Sequence, residues 1–359
     1  MITILQYLQG SGLGGPTDHV LDIIKYSDRS NIQFVYADKH HDERTDAEFE
    51  ALGVPHIVVS NEKEDIKKIF RSFHVDVVHG HPGANTGCAA IDAGLEKGIP
   101  CVATIATRGP VHWDYRNEVW VVSPCQMQAD YHHNIPEDRH RLIYYSVDVD
   151  RLQCSDKRAA KEHWGLDPDK PVVGWIGRFI VWKGPGAFIG IAKYTQEVNP
   201  EVQFIMFGDK DGYEPAKDLA KEIGANVLLP GGIRRKDLAY GAMDIGCFLT
   251  WGFFEGFGRV GAEIMGAGVP MIGSLCATNL ELGGPYAIYL VPPQYWEDRW
   301  DAEYHGKMWA YTILALLENN PLREYMGEKG QARVRELFDA RVMAQKYNKL
   351  YGEIMDGTN

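Results

Sequence analysis

Ile245-Gly246-Cys247-Phe248-Leu249 runs directly into Thr250-Trp251-Gly252-Phe253-Phe254-Glu255-Gly256-Phe257-Gly258-Arg259-Val260-Gly261-Ala262-Glu263. The apolar run predicts a buried strand, the glycines predict a loop, and the residues from Arg259 onward predict a helix. The backbone N–H groups at Gly256–Arg259 and the positive end of the helix dipole would then meet at the carboxyl end of the strand. This stretch therefore predicts a parallel α/β sheet with an anion-binding loop at its edge.

The same alternation of short apolar runs and helical patterns continues through the rest of the chain, which is typical of parallel α/β sheets. The predicted strands of the first half are Ile2–Leu8, Ile32–Tyr36, His56–Val59, Val75–His79, Pro100–Thr104 and Val119–Val122. Those of the second half are Val172–Gly177, Gln203–Gly208, Asn226–Leu229, Ile245–Leu249, Val269–Ile272 and Ala287–Val291. Helices are predicted between them, and from about Pro321 to Met355.

The strand series is interrupted once, by the polar residues 148–170. A chain of 359 residues is also too long for one compact core, so we expect two domains. We predict an N-terminal Rossmann-like domain over residues 1–150, a linker over 151–170 and a second Rossmann-like domain over 171–325. C-terminal helices over 326–359 are expected to pack back toward the N-terminal domain.

Charge and composition exclude several classes of function. The net charge is −12, and residues 1–150 hold 13 Lys and Arg against 22 Asp and Glu, which is −9 of that total. This acidity argues against nucleic acid and against peripheral contact with an anionic membrane. No apolar run approaches the ~20 residues of a transmembrane segment, and no basic region precedes the first apolar run as in a signal peptide. Six scattered cysteines form no metal or disulfide framework, so we expect a cytoplasmic protein.

A glycine-rich motif near the start of the chain suggests one alternative. Gly10-Ser11-Gly12-Leu13-Gly14-Gly15 fits G-x-G-x-x-G between a predicted strand and a predicted helix, and Asp38 closes the next apolar run. Together they satisfy the dinucleotide fingerprint, so an NAD-dependent dehydrogenase is one hypothesis. The motif by itself reports a strand–turn–helix unit, which serves many functions.

Two pairs of charged residues in the second half are candidates for ligand binding. Arg178 follows a predicted strand, and Lys183 precedes the next helix. A planar guanidinium and a compact ammonium suit a diphosphate, although a solvated surface pair would show the same spacing. Glu255 stands in the glycine-rich loop, and Glu263 lies about two helical turns deeper. These two carboxylates could hold different groups of one extended ligand.

Four motifs in order carry a resemblance to a known family: VDVVHGH at 75–81, YYSVDVDRL at 144–152, GRFIVWKG at 177–184 and EGFGRVGAEIMGAGVPMIGS at 255–274. They resemble retaining GT-B glycosyltransferases, specifically glycosyltransferase family 4. The resemblance covers nearly the whole chain. It implies a GT-B fold, in which two Rossmann-like domains with parallel sheets face each other across a cleft.

The resemblance also implies roles for individual residues. The catalytic positions are Arg178, Lys183 and Glu255, with the two cations on the donor diphosphate in place of a metal ion. The donor-binding positions are Gly14, Gly15, Gly256, Phe257, Gly258, Glu263 and Ile233. Among these, Glu263 would accept hydrogen bonds from the ribose hydroxyls, and the nucleotide base would lie near Gly231–Ile233. No metal and no cofactor are implied beyond a nucleotide-diphospho-sugar as co-substrate.

The residues expected to contact the donor sugar depart from the family pattern. Ala106 stands where many members have a pocket histidine, and Leu275-Cys276 replaces a Gly-Gly pair after Ser274. Candidates for the acceptor or sugar pocket are His79, His81, Arg108, His112 and Trp113. His79 and His81 alternate onto one face of a strand, where they are either pocket residues or structural histidines.

The resemblance implies a retaining, metal-independent glycosyltransferase with a nucleotide-sugar donor. The acidic first domain favours a small soluble or saccharide acceptor. The alternatives are a nucleotide-sugar epimerase or sugar-phosphate synthase on the same scaffold, and a non-catalytic nucleotide-sugar sensor.

Overall fold

The chain forms two compact units in its structure, a computed structural model. It describes residues 1–9, 14–39, 43–59, 63–82, 87–106, 118–208, 212–233, 235–250, 255–291, 295–296, 299–300 and 302–357. Unit 1 comprises Met1–Val147 and Phe338–Asn359, and unit 2 comprises Asp148–Leu337. No helix in these described ranges is long and apolar enough to cross a membrane.

Unit 1 is a parallel sheet with helices on its faces. Its strands are β1 (Ile2–Leu8), β2 (Ile32–Asp38), β3 (His56–Val58), β4 (Val77–His81), β5 (Cys101–Thr104), β6 (Val119–Ser123) and β7 (His140–Leu142). Its helices are α1 (Gly15–Tyr26), α2 (Glu43–Ala51), α3 (Lys63–Phe73), α4 (Ala89–Glu96) and α5 (Gln126–Tyr131), with a 3-10 turn at Glu137–Arg139. The strand order is β3-β2-β1-β4-β5-β6-β7, and every pair is parallel. The direction of strand addition therefore reverses between β1 and β4.

Unit 2 repeats this plan with six strands. They are β8 (Val172–Ile176), β9 (Gln203–Phe207), β10 (Val227–Gly231), β11 (Ile245–Phe248), β12 (Met271–Ser274) and β13 (Ile288–Leu290), followed by the hairpin strands β14 (Tyr295–Trp296) and β15 (Arg299–Trp300). The helices are α6 (Lys157–His163), α7 (Pro185–Val198), α8 (Tyr213–Ile223), α9 (Lys236–Gly241), α10 (Arg259–Gly266), α11 (Ala277–Gly283), α12 (Ala302–Glu318) and α13 (Asn320–Leu337). Single 3-10 turns occur at Val149–Leu152, Val181–Lys183 and Gly284–Tyr286. The order β10-β9-β8-β11-β12-β13 places its reversal between β8 and β11.

The last helix, α14 (Ala340–Gly357), belongs to unit 1, where it packs beside α1. Its apolar and aromatic face enters the same core cluster as Ile4 and Val77 of the sheet. Tyr347 and Tyr351 from this face are both fully buried. Both hydroxyls find polar partners on the strands, so the helix is held by hydrogen bonds as well as by apolar contact.

All twelve predicted strands are present, because the apolar runs that predicted them are the buried strands of two parallel sheets. Two strands lie two residues further along the chain than predicted. β4 covers Val77–His81 instead of Val75–His79, because His81 remains in the sheet opposite Leu8. β12 covers Met271–Ser274 instead of Val269–Ile272, because Ser274 remains in the sheet opposite Leu290. The polar strand β7 has no counterpart in the prediction. Residues 151–170, the predicted linker, lie in unit 2 and include α6, which an ion pair of 2.8 Å between Lys161 and Asp244 holds in place.

Candidate functional site

The candidate site of unit 2 lies at the point where its strand order reverses. The strands β8 and β11 are neighbours there, and each continues into a loop at its carboxyl end. Ligands of open α/β sheets bind outside the carboxyl ends of the strands at such a point. The loop after β8 carries Arg178 and Lys183, and the loop after β11 carries Glu255. The topology thus brings three predicted site residues to one sheet edge.

Lys183 and Glu255 form an ion pair across these two loops, through the ammonium group and Oε2. The Trp175 indole on β8 donates to the Lys183 carbonyl at 3.0 Å, which fixes the lysine's backbone against the sheet. Thr250 Oγ1 donates to the same Oε2 at 3.2 Å. Glu255 is 9% exposed, so this carboxylate lies in a largely desolvated position, where charge interactions are strong.

The helix α10 begins immediately beyond this pair. Its N-cap is Gly258, at φ 86° and ψ 45°, in the left-handed region that side chains other than glycine's adopt with strain. A Cβ there would also lie 3.0 Å from the Phe248 ring. Because the N-cap is a glycine, no side chain there accepts a hydrogen bond from the first turn. The first N–H groups of α10 and the positive end of its dipole thus suit an external anion.

Glu263 lies on α10 in a cluster of charged and polar side chains. Its Oε1 accepts from Lys236 Nζ at 2.8 Å and from Arg259 Nε at 3.2 Å, and its Oε2 accepts from the Tyr240 hydroxyl at 2.6 Å. Burial alone would raise the pKa of Glu263, but the charges of Lys236 and Arg259 outweigh it and hold this pKa below the ordinary value. The carboxylate is therefore charged and fixed in orientation.

The sequence did not identify the partners of either glutamate. Lys236 and Tyr240 are four residues apart on α9, and Arg259 and Glu263 are four apart on α10, so each pair shares a helix face. The four-residue spacing within each helix is the pattern that could have predicted these contacts. Nothing comparable in the sequence predicts the contact between Thr250 and Glu255, since neither residue lies in a helix or strand with a regular spacing.

Two predicted donor-site residues of unit 2 stand apart from these contacts. Arg178 is exposed and forms no ion pair with the described part of the chain. Ile233 is half-buried and follows β10 in the segment that leads to α9. Ile233 lies three residues before Lys236, the lysine that contacts Glu263.

In unit 1, Gly14 caps α1 and Gly15 begins it, beyond the carboxyl end of β1. Asp38, the acidic residue of the dinucleotide hypothesis, is buried and contacts Tyr36 OH at 2.7 Å and His56 Nε2 at 3.1 Å. These protein groups engage both of its oxygens. The carboxylate thus has partners within its own sheet at the position where the fingerprint expects a ribose.

His79 and His81 lie at the carboxyl end of β4, inside a buried polar network. His79 is hydrogen-bonded to Tyr351 OH at 2.7 Å and to Thr104 Oγ1 at 2.8 Å. His81 Nε2 lies 2.8 Å from Gln6 Oε1, and Gln6 Nε2 donates to Tyr351 OH at 2.9 Å. Burial lowers the pKa of His81 to about 3. For His79, burial and then the neighbouring charges of His81 and His19 hold the pKa well below the ordinary value. Both rings are therefore neutral at physiological pH.

The remaining acceptor-side candidates, Arg108, His112 and Trp113, lie outside the described residues. Ala106, in the position of the family's pocket histidine, is described and follows β5. Across the described ranges, no group of three or more His, Cys, Asp and Glu side chains is arranged to hold a metal ion. The contribution of these residues to an acceptor pocket stays a prediction.

Comparison with known proteins relates this geometry to enzymes. Residues 156–333 match the family described as glycosyl transferases group 1. A D-inositol 3-phosphate glycosyltransferase of Mycobacteroides abscessus is 30% identical over 185 residues, which is 47% of this chain and 39% of that protein. A trehalose synthase of Pyrococcus horikoshii is 26% identical over 230 residues, which is 58% of this chain and 52% of that protein. The chain spans about half or less of the length of these relatives.

Solved structures resemble the chain over its whole length. A glycosyltransferase from Rickettsia africae is 16% identical with a TM-score of 0.83, covering 99% of this chain and 98% of that one. Anabaena HepE in complex with UDP and glucose is 18% identical with a TM-score of 0.80, covering 98% of this chain and 100% of that one. At such identities the likeness concerns the fold, and it confirms the predicted GT-B class with two Rossmann-like domains. Residues 156–333, just under half of the chain, thus resemble a group 1 glycosyltransferase domain.

Proposed function

We propose that the chain is a retaining, metal-independent glycosyltransferase that moves a sugar from a nucleotide-diphospho-sugar to a hydroxyl of a small soluble or saccharide acceptor. The observation that carries this proposal is the meeting of Lys183, Glu255 and the N-terminus of α10 at the strand reversal of unit 2. The family match over residues 156–333 and the UDP bound to HepE support a nucleotide-sugar as donor.

In the proposed mechanism, Lys183, Arg178 and the first N–H groups of α10 stabilise the diphosphate as it leaves. The bond between the sugar C1 and the phosphate oxygen breaks through an oxocarbenium-like state, and the acceptor oxygen attacks C1 from the same face. The proton of the acceptor hydroxyl passes to the leaving diphosphate oxygen on that face. The electron pair of the broken bond goes to the diphosphate, where fixed positive groups reduce the barrier. Glu255 would accept hydrogen bonds from the donor sugar, and Glu263 from the ribose.

The test is a thermal-shift screen of the purified chain in EDTA against UDP-, GDP-, ADP-, CMP- and dTDP-sugars, with NAD and NADP alongside. A ligand at 100 times its Kd raises stability by about 2.7 kcal/mol, which such a screen detects. We expect a shift with the sugars of one nucleotide. A shift with NAD or NADP alone would overturn the proposal.

Transfer itself is tested next, with the donor that binds and a panel of monosaccharides and disaccharides. The anomeric configuration of the product by proton NMR distinguishes retention from inversion. Binding without transfer or hydrolysis would instead support a nucleotide-sugar sensor, and an isomerised donor would support an epimerase.

A further inference from the structure

In the proposed function, the Glu255 carboxylate and the donor diphosphate compete for the ammonium group of Lys183. Lys183 Nζ is paired with Glu255 Oε2. The same ammonium is required by the donor diphosphate in the proposed function, on which this inference rests. A diphosphate carries more negative charge than a carboxylate, so it draws Lys183 away from Glu255. Glu255 then needs another donor to keep its orientation in a largely buried position.

Thr250 supplies that donor. Its side chain is fully buried, and its hydroxyl donates to Oε2 of Glu255 at 3.2 Å, the same oxygen that Lys183 contacts. The Ser274 hydroxyl at the end of β12 accepts from the Thr250 N–H at 3.2 Å, which anchors the threonine between two strand ends. Oε1 of Glu255 accepts no hydrogen bond within the described part of the chain. One carboxylate oxygen is thus held by the protein, and the other is open to a ligand.

The backbone of Glu255 is held as well. Thr278 Oγ1 on α11 donates to the Glu255 carbonyl at 3.2 Å. The next residue, Asn279, donates from Nδ2 to the Ser274 carbonyl at 2.9 Å. Ser274, Thr278 and Asn279 are all buried. Glu255 is therefore held by both its side chain and its backbone, as a preorganised site requires.

We propose that Thr250 is a positioning residue. It retains the Glu255 carboxylate when Lys183 engages the diphosphate, so that Oε1 stays aimed at a hydroxyl of the donor sugar. The consequence is specific to the sugar, because a free nucleoside diphosphate lacks the sugar hydroxyl from which Oε1 would accept a hydrogen bond. Loss of the Thr250 hydroxyl therefore weakens the interaction with a nucleotide-sugar and leaves that with the nucleoside diphosphate unchanged.

The experiment compares Thr250→Val, Thr250→Ala and Thr250→Ser with the wild-type chain. The probes are three matched pairs: UDP with UDP-glucose, GDP with GDP-mannose, and ADP with ADP-glucose. Calorimetric affinities, and kcat and KM for donor consumption, are measured for the pair that the wild type binds. Thr195→Val is the control, because Thr195 is a buried threonine of the same unit whose hydroxyl donates only to the Ile191 carbonyl.

For Thr250→Val and Thr250→Ala we expect about a tenfold loss of nucleotide-sugar affinity or kcat/KM, the range for hydrogen bonds to charged groups. Affinity for the nucleoside diphosphate is unchanged, and Thr250→Ser restores wild-type behaviour. Unchanged nucleotide-sugar parameters in both variants would overturn the inference. An equal loss for both members of the pair, as in a general structural defect, would overturn it too. A wild-type chain that binds none of the six probes overturns the proposed function and, with it, this inference.

Discussion

The Tyr240 hydroxyl lies 2.6 Å from Oε2 of Glu263, while Lys236 and Arg259 contact Oε1 of the same carboxylate. A residue of α9 therefore fixes the orientation of a glutamate on α10. The carboxylate is prepared as a charged acceptor before any ligand arrives, which reduces the ordering that binding would require.

Glu263 is expected to dominate nucleotide affinity. Glu263→Ala should weaken binding of the nucleotide identified in the screen by tenfold or more, because charge-assisted hydrogen bonds to the ribose contribute roughly 1.5–3 kcal/mol each. Titration calorimetry measures this loss, and Glu263→Gln tests whether the charge is required. If the variants lower only the melting temperature, Glu263 serves to neutralise Lys236 and Arg259 and the ribose assignment is wrong.

Lys183 is expected to act on the diphosphate. Lys183→Gln should reduce the affinity for the nucleoside diphosphate and kcat/KM by at least tenfold, because a compact positive charge at the leaving group is lost. The control is Lys193→Gln, since Lys193 pairs with Glu197 at 3.9 Å along one face of α7. Equal kinetic parameters for the two variants would contradict the role of Lys183.

Gly258 is expected to tolerate no side chain. Gly258→Ala places a Cβ at φ 86°, 3.0 Å from the Phe248 ring, so we expect a cost of about 1–3 kcal/mol in stability and weaker diphosphate binding. Gly352→Ala is the matched control: Gly352 lies within α14, and a Cβ there would meet nothing within 4 Å. That change should be neutral or stabilising by up to about 1 kcal/mol. Urea unfolding of both variants tests the prediction, and equal unfolding midpoints for the two variants would contradict the strain at Gly258.

Unit 1 is expected to lose stability in mild acid. His79 and His81 have lowered pKa values in the fold, about 3 for His81, whereas exposed imidazoles titrate near 6.5. The unfolded state therefore binds protons first, so stability is complete above about pH 6.5 and falls as the pH decreases toward 3. Lowering the pH from 6.5 to 5 should reduce the free energy of unfolding by up to about 2 kcal/mol for each ring.

Urea midpoints of the wild type and of His81→Asn at pH 7.5 and 5.0 measure this dependence. His81→Asn removes one titrating group, so its midpoint should change less with pH than that of the wild type. The same pH dependence in both proteins would show that His81 does not contribute.

Tyr351 is expected to stabilise the attachment of α14. Tyr351→Phe removes the hydroxyl that pairs with Gln6 Nε2 and His79 Nδ1, and two buried polar atoms left unpaired should cost about 1–3 kcal/mol. Tyr311→Phe is the control, because Tyr311 is 61% exposed on α12. Limited proteolysis reports the result: the Tyr351 variant should be cleaved faster within α14, and equal rates would contradict the prediction.

Local patterns were sufficient for the strands and for the loop before α10, because apolar runs and glycines act over a few residues. Three positions show where they were not. The strand β7 pairs with β6 through its backbone, and its polar side chains show no pattern that predicts a strand. β4 includes His81 because Gln6 on the adjacent strand accepts that polar ring in the core. No residue type or spacing predicted the contact between Thr250 and Glu255, whereas residue type and spacing were enough to select Arg178, Lys183 and Glu263 as candidates.

The division of unit 1 into two segments also determines the order in which the chain can fold. During synthesis β1 to β7 leave the ribosome first, then all of unit 2, and only afterwards α14. Until α14 arrives, Gln6 and His79 lack their Tyr351 partner and part of the apolar core stays uncovered. The unit that is translated second is therefore the first to have all its parts, which reverses the usual N-to-C order of domain completion.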